Sequence, residues 1–346
     1  MGKARFKTYA AIDLFSGCGG LSEGLRKSGF HVVAAVEMDR TSAECYRSNH
    51  LNTVVINKDI RNVRTEALKK PLSGNSLYLL AGCPPCQGFS SVRRLNRKIP
   101  AIDNRNRLIL QYLRFVKALR PLTIMLENVP GIKDYDLFHG IVHDLRNLGY
   151  FIDYQIIDIA HYGVPQRRKR LVLVGSRLGN IKIAPAPNIK KTVKQTIGRL
   201  ESVETSNDAL HKILPKHTAG IQKLITLIPR NGGSRKDLPE KYQLYCHKKP
   251  MVGFNDIYGR LHWDRHSSTI TSGCLNPSKG RFLHPEEDRV ITPREAALLQ
   301  TFPKRYKFPL SISKAELALL IGNALPPKFS SIQATHILNH IKQYNG

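Results

Sequence analysis

Short apolar runs alternate with segments of helical period through the first half of the chain, and breaks rich in glycine or proline separate them. Ala10-Ala11-Ile12-Asp13-Leu14-Phe15 predicts a buried strand, stopped by Ser16-Gly17-Cys18-Gly19-Gly20 and followed by a helix from Leu21 through Lys27. Val32-Val33-Ala34-Ala35-Val36 predicts a second strand ending in Glu37-Met38-Asp39, and Val54-Val55-Ile56 a third running toward Asp59-Ile60. Leu77-Tyr78-Leu79-Leu80-Ala81 leads into Cys83-Pro84-Pro85-Cys86, and Thr123-Ile124-Met125-Leu126 leads to Glu127. Ile156-Ile157 and Leu171-Val172-Leu173-Val174 add two more strands. Strands alternating with helices predict a parallel, doubly wound, Rossmann-like α/β sheet. Ligands in such sheets bind beyond the carboxyl ends of the strands, where each of these polar segments falls.

The pattern changes after Ser176. Residues 180–258 are basic and irregular, and Pro185, Pro187, Pro215, Pro229, Pro239 and Pro250 interrupt any long element. The expected organisation is a catalytic and cofactor-binding domain over 1–180 and a second, smaller domain of loops and short strands over 181–300. A segment over 301–346 then returns to the first domain.

Charge sharpens this division. The 346 residues carry a formal charge of +28. Residues 91–120 and 161–260 supply 22 of those excess charges, whereas 121–160 is net acidic. Clustering of this kind points to a polyanionic partner rather than to an evenly solvated surface. Six scattered cysteines lack the density of a disulfide framework, which suits a reducing cytoplasm. The first residues have no apolar signal-peptide core, and no stretch is long and apolar enough to span a bilayer, so no membrane is expected.

Two features carry candidate chemistry. Cys86 follows two prolines whose rings stiffen the backbone, and an arginine-rich loop comes after it. Glu127 closes an apolar strand, where a carboxyl is partly desolvated and can hold a proton. A thiol nucleophile with a protonatable carboxyl suits an aromatic ring that must be made electron-rich before an electrophile arrives. Cys83 and Cys86 also have the spacing of a redox pair or half a zinc site. No second pair and no His partner accompanies them, and no metal is expected. The glycine turn after the first strand allows close backbone approach to a ligand, and Glu37 at the end of the next strand can hold ribose hydroxyls. Its spacing is neither G-x-G-x-x-G nor a phosphate loop, which favours an adenosyl ligand without a pyrophosphate.

With these residues in register, the whole chain resembles a cytosine-C5 DNA methyltransferase of the bacterial type. The resemblance runs in family order from Asp13 through Pro327, with the basic middle as the variable, target-recognition region. Gly82 to Ser90 is similar to the nucleophile motif, Glu127-Asn128-Val129 to the acid motif, and Gln166-Arg167-Arg168-Lys169-Arg170 to the Q-x-R-x-R motif. Leu261-His262-Trp263-Asp264 and Ser268-Thr269-Ile270-Thr271 resemble the motif that supports target recognition, and Gly322 to Pro327 resembles the last motif.

The resemblance implies S-adenosylmethionine as cofactor. Asp13, Phe15, Ser16, Gly17, Cys18, Gly19, Gly20 and Leu21 would form its cradle, Glu37 would hold the ribose and Met38 would pack on adenine. Asp59 and Ile60 would sit at the adenine edge, and Pro84, Asn323 and Leu325 would complete the pocket. It implies catalysis by Cys86 attacking C6 of cytosine, Glu127 donating toward N3, Arg168 holding O2, and Arg170 positioning a phosphate or the loop.

The implied partner is double-stranded DNA, with the target base swung out of the stack. Gln87, Ser90, Arg93, Arg94, Arg97 and Gln166 are the expected DNA contacts, and Gly232, Gly233, Ser234 and Arg235 are candidates for reaching base edges or an ordinary loop. The enzyme would act as a monomer in a bacterial cytoplasm, associated with the nucleoid through its DNA. Any restriction activity would belong to a separate cognate endonuclease. An RNA methyltransferase of the same family, a non-catalytic DNA-binding relative and a nicotinamide-dependent oxidoreductase are the competing readings. The long basic segment, the retained Cys86 and Glu127, and the glycine spacing respectively weigh against them.

Overall fold

The computed structural model describes residues 8–85, 107–243 and 256–344. Cys86, Gln87, Ser90, Arg93, Arg94 and Arg97 lie outside them. The chain forms two compact units. Unit 1 comprises residues up to Asp158, Lys169–Pro185 and the chain from Leu325 on, and unit 2 comprises Ile159–Arg168 and Ala186–Ala324. These divisions differ from the lines expected at 180 and 300. The ten residues before Lys169 group with unit 2, and the return to unit 1 comes at Leu325.

Unit 1 is built on a seven-stranded sheet. Its strands are β1 (Ala10–Leu14), β2 (His31–Val36), β3 (Val54–Ile56), β4 (Leu77–Gly82), β5 (Thr123–Asn128), β6 (Phe151–Asp158) and β7 (Lys169–Ser176). They lie in the order β3-β2-β1-β4-β5-β7-β6. Strands β1, β4 and β5 are buried along their whole length, which is why they read in sequence as near-continuous apolar runs. The chain winds from β1 outward through β2 to β3, then crosses to β4 and β5, so the switch in strand order falls between β1 and β4.

The sheet is mixed rather than parallel throughout. Strand β7 pairs antiparallel with both β5 and β6. Asp158 and Lys169 are register partners, and the ten residues joining them contain no α-helix. A parallel neighbour would need a crossover of a dozen or more residues, usually helical. The short connection therefore enforces the reversal.

Helices α1 (Gly20–Ser28), α2 (Arg40–Asn49), α3 (Thr65–Lys69), α4 (Ile109–Leu119) and α5 (Asp136–Asn147) follow the parallel strands. In unit 2, α6 (Val193–Ile197), α7 (Ala219–Leu227), α8 (Pro293–Leu299) and α9 (Lys314–Asn323) are joined by turns and isolated bridges, with no named strand among the described residues. Helix α10 (Pro327–Gln343) belongs to unit 1 and packs on α1. Ser330 Oγ donates to the carbonyls of Pro326 and Gly20 at 3.0 and 3.4 Å. The two helices approach so closely at Gly24 that a Cβ there would stand 2.6 Å from Ser330 Cβ and 2.7 Å from the Ser331 amide nitrogen.

Gly24→Ala is accordingly expected to destabilise unit 1 by about 2 kcal/mol, because overpacking at a backbone contact outweighs the helix propensity gained. Urea unfolding measures this, and an unchanged midpoint would contradict the contact.

Candidate active site

The glycine turn leaves β1 in an unusual backbone course. Phe15, Gly17 and Gly19 all have positive φ, at 61°, 54° and 96°. For phenylalanine this conformation is strained, and such strain gathers where function holds it in place. The Ser16 amide donates to Val36 O at 3.0 Å, joining the turn to the end of β2. Glu37 then grips the turn from the side: its carboxylate accepts from the Gly17 amide and from the Asp39 amide, each at 2.8 Å. A side chain at Gly17 would meet nothing within 4 Å, so the glycine serves backbone geometry and leaves open room.

Beneath the turn, Asp13 is fully buried. One oxygen accepts from Ser22 Oγ at 2.7 Å, and Ser22 Oγ lies 2.6 Å from the Tyr46 hydroxyl. The other, Oδ1, has no hydrogen-bond partner. Burial pushes the Asp13 carboxyl up to about 7, and it pushes Glu37 upward as well. Cys18 turns inward: a hydrogen bond to Cys45 on α2, followed by burial, holds its thiol well above the ordinary range. Leu21 is buried in the core.

Met38 is 65% exposed at the end of β2. Asn57, which the sequence reading passed over, donates to the carbonyls of Glu37 and Met38 at 2.9 and 3.0 Å and so ties that strand end to the chain leaving β3. Asp59 caps the turn before buried Ile60, accepting from the Arg61 amide at 2.9 Å, and its pairing with the Arg61 guanidinium holds its carboxyl below the usual range.

The strand ends of β4 and β5 bring the second group together. Gly82 is in register with Leu126, which sets Cys83 beside Glu127. Glu127 is 8% exposed and pairs with Arg170 Nε at 2.6 Å. Burial, and then the charge of Glu127, hold the Cys83 thiol well above its ordinary range. Asn128 donates through Nδ2 to Pro84 O at 3.0 Å, and its Oδ1 accepts from the Val129 amide at 2.8 Å. Asn128 thus pins the proline turn to β5. The sequence motif contained it, but only the structure shows what it holds.

Several expected site residues lie elsewhere. Arg168 is buried in unit 2, where Nη1 donates to Ile270 O at 2.9 Å and Gly322 O at 3.1 Å. The guanidinium that meets Glu127 belongs to Arg170. Gln166 is also fully buried in unit 2: Nε2 donates to Leu299 O and Gln300 Oε1 at 3.1 and 2.7 Å, and Oε1 accepts from the Ile270 amide at 3.1 Å. Its amide is spent on bonds inside unit 2.

The Gly232–Arg235 segment is likewise structural as it stands. A Cβ at Gly232 would fall 1.8 Å from the His262 ring, Ser234 caps the following turn, and Arg235 is buried. Asn323 is exposed at the end of α9 in unit 2. The Gly322 before it is glycine because a Cβ would meet the Thr271 carbonyl. Pro84 and Leu325 are buried in unit 1.

A strained glycine turn thus stands at the β1 switch point, and a buried Glu127–Arg170 pair stands beside Cys83-Pro84. Residues 9–339 match the family model of C-5 cytosine-specific DNA methylases. The chain belongs to that family and is a DNA cytosine-C5 methyltransferase. It is 34% identical to the type II methylase M.HgiDII of Herpetosiphon aurantiacus, over 95% of this chain and 94% of that one. It is 30% identical to the type II methyltransferase M1.HphI of Haemophilus parahaemolyticus, over 94% and 86%. Among solved structures, a prophage-encoded E. coli protein assigned as a DNA modification methyltransferase aligns at a TM-score of 0.70 and 27% identity, covering 97% of this chain and all of that one. A Spodoptera frugiperda DNMT2 variant shares the fold, at a TM-score of 0.67 and 17% identity over 96% of this chain.

Asp13 gives the site a pH signature. Its folded pKa of about 7 lies above the ordinary 3.8. The folded state therefore holds the proton more tightly, and that stability is complete below about pH 4 and lost as pH rises through about 7. Asp13→Asn, neutral throughout, is expected to gain on the wild type by about 2–3 kcal/mol between pH 5 and pH 8. Urea midpoints at the two pH values measure it, and a gap that does not widen would contradict the burial argument.

Proposed function

We propose that this chain moves a methyl group from S-adenosylmethionine to C5 of a cytosine swung out of duplex DNA, through a temporary bond between Cys86 Sγ and C6. The observation that carries the reading is the Glu127–Arg170 pair standing beside Cys83-Pro84 at the ends of β4 and β5. The residues around the glycine turn fit the methyl donor: open room at Gly17, the unpartnered Oδ1 of Asp13, and a Glu37 carboxylate bonded to backbone amides that could turn to ribose hydroxyls. Met38, Asp59 and Ile60 would line the adenine side. When bound, S-adenosylmethionine supplies an electrophilic methyl.

Cytosine C5 is a weak nucleophile. Thiolate attack by Cys86 on C6 ends the ring's aromaticity and makes C5 an enamine carbon. Charge moves onto N3 and O2 as the bond forms. In the substrate complex Glu127 takes up a proton from solvent and passes it to N3, and Arg170, its ion-pair partner in the free chain, neutralises the carboxylate left behind. After C5 has taken the methyl, its proton leaves to a base. The Sγ–C6 bond then breaks with its electron pair returning to sulfur while N3 gives its proton back through Glu127, which regenerates free enzyme. Asn128 keeps the proline turn fixed.

Base flipping brings C5 and C6 within reach of a side chain. Gln87, Ser90, Arg93, Arg94 and Arg97 are proposed to close on the target strand. Unit 2 is proposed as the recognition unit, with exposed Lys194, Arg199, Lys223, Arg230 and Lys236 contributing to phosphate attraction. The enzyme is proposed to work as a monomer in the cytoplasm, with any cognate endonuclease a separate protein.

Transfer of labelled methyl from S-adenosylmethionine to unmethylated duplex DNA, but not to tRNA, tests the activity, and bisulfite sequencing of the product maps the site. Cys86→Ser is expected to lower transfer by roughly a thousandfold or more while duplex affinity stays within a few-fold; full transfer by the variant would remove Cys86 from the reaction. Duplex carrying 5-fluorocytosine at the mapped site should give a denaturant-stable protein–DNA adduct with the wild type and none with Cys86→Ser, since fluorine cannot leave as a proton does. The absence of any adduct from an active enzyme would exclude thiolate addition.

A further inference from the structure

We propose that Tyr112 is a positioning residue for methyl transfer: from α4 its phenol spans β4 and β5 just before Cys83 and Glu127, and fixes the distance between these two strand ends. This rests on the reading of Cys86 and Glu127 given above. Tyr112 is completely buried. Its hydroxyl lies 3.0 Å from Leu80 O on β4 and 3.1 Å from Met125 O on β5. One phenolic proton thus serves carbonyls on two neighbouring strands. Leu80 stands three residues before Cys83, and Met125 two before Glu127, so the hydroxyl sits under both active strand ends.

The last residue of β4 is shaped around the same ring. A Cβ on Gly82 would stand 2.9 Å from Leu14 O and 3.2 Å from Tyr112 Cδ2. Glycine there lets β1, β4 and the phenol meet without spreading. Asn128 holds Pro84 from above, so β4 and β5 are clamped on both sides of the Cys83–Glu127 pair. Both clamps act on backbone carbonyls. Reacting atoms must be held to within fractions of an ångström, and a displacement of about 1 Å costs up to about 100-fold in rate.

Tyr150 provides the control. Its buried hydroxyl donates to Pro121 O at 2.6 Å, before the start of β5 and away from the strand ends. Tyr112→Phe and Tyr150→Phe each delete one buried phenolic hydrogen bond, so both should lower the melting temperature. In single-turnover transfer to unmethylated bacterial genomic DNA, Tyr112→Phe is expected to be about 10-fold slower than wild type. Its affinities for S-adenosylmethionine and DNA should stay within about twofold, and Tyr150→Phe should keep the wild-type rate.

Amide hydrogen exchange at Gly82, Cys83, Leu126 and Glu127 should quicken in Tyr112→Phe alone. Equal rates in the two variants, or exchange at those amides that Tyr112→Phe leaves unchanged, would overturn the proposal. The exchange measurement reads the clamp without catalysis, so an inactive wild-type chain would fail the functional reading and still leave the clamp decided. Should Tyr112→Phe not fold, Gly82→Ala strains the same contact, and a wild-type transfer rate in that variant would equally overturn the role.

Discussion

The site depends on the direction of one strand. Because β7 runs against β5, its beginning lies at the end of β5, with Leu171 opposite Asn128 and Val172 opposite Glu127. Arg170 enters the sheet at that point and meets the carboxylate that closes β5. A parallel β7 would carry the same arginine to the far edge of the sheet, a strand length away. The reversal also lets a connection of ten residues suffice between β6 and β7. Topology and charge pairing are therefore one fact: the short connection fixes the direction, and the direction delivers the cation.

Around that pair the structure spends its polar groups on backbone. Glu37 holds the Gly17 and Asp39 amides, Asn57 the end of β2, and Asn128 the Pro84 carbonyl. In unit 2, Arg168 and Gln166 hold Ile270, Gly322 and Leu299, far away in sequence. Such bonds satisfy groups that would be costly to bury alone and fix loops that have no regular hydrogen-bond ladder of their own. Arg260 does the same in unit 2: although completely buried, it serves the carbonyls of Ile225, Ile228, His284 and Glu287 and pairs with Asp288.

This explains what the sequence could and could not disclose. Strands buried on both faces announce themselves as apolar runs, so β1, β2, β4, β5 and β7 were legible, as was the glycine turn between β1 and α1. Strand direction leaves no mark in an apolar run. The signal was the missing helical segment between Asp158 and Lys169, together with Gly163 and Pro165 in that interval. The burial of polar residues was not legible: Gln166, Arg168, Ser234 and Arg235 are each buried. Their partners lie up to 154 positions away, and a local pattern cannot report a bond that tertiary structure alone creates. Tyr112 was invisible for the same reason, since an aromatic on an amphipathic helix reads as ordinary core.

The seam between α1 and α10 has a consequence for how the protein is made. Helix α1 finds its packing partner only after the chain through α10 has been synthesised. Until then the notch at Gly24 is bare, and the turn that α1 supports lacks its backing. Contacts so distant along the chain form slowly. The nascent polypeptide therefore cannot assemble a finished donor cradle early, and translation itself delays the moment at which the enzyme becomes competent.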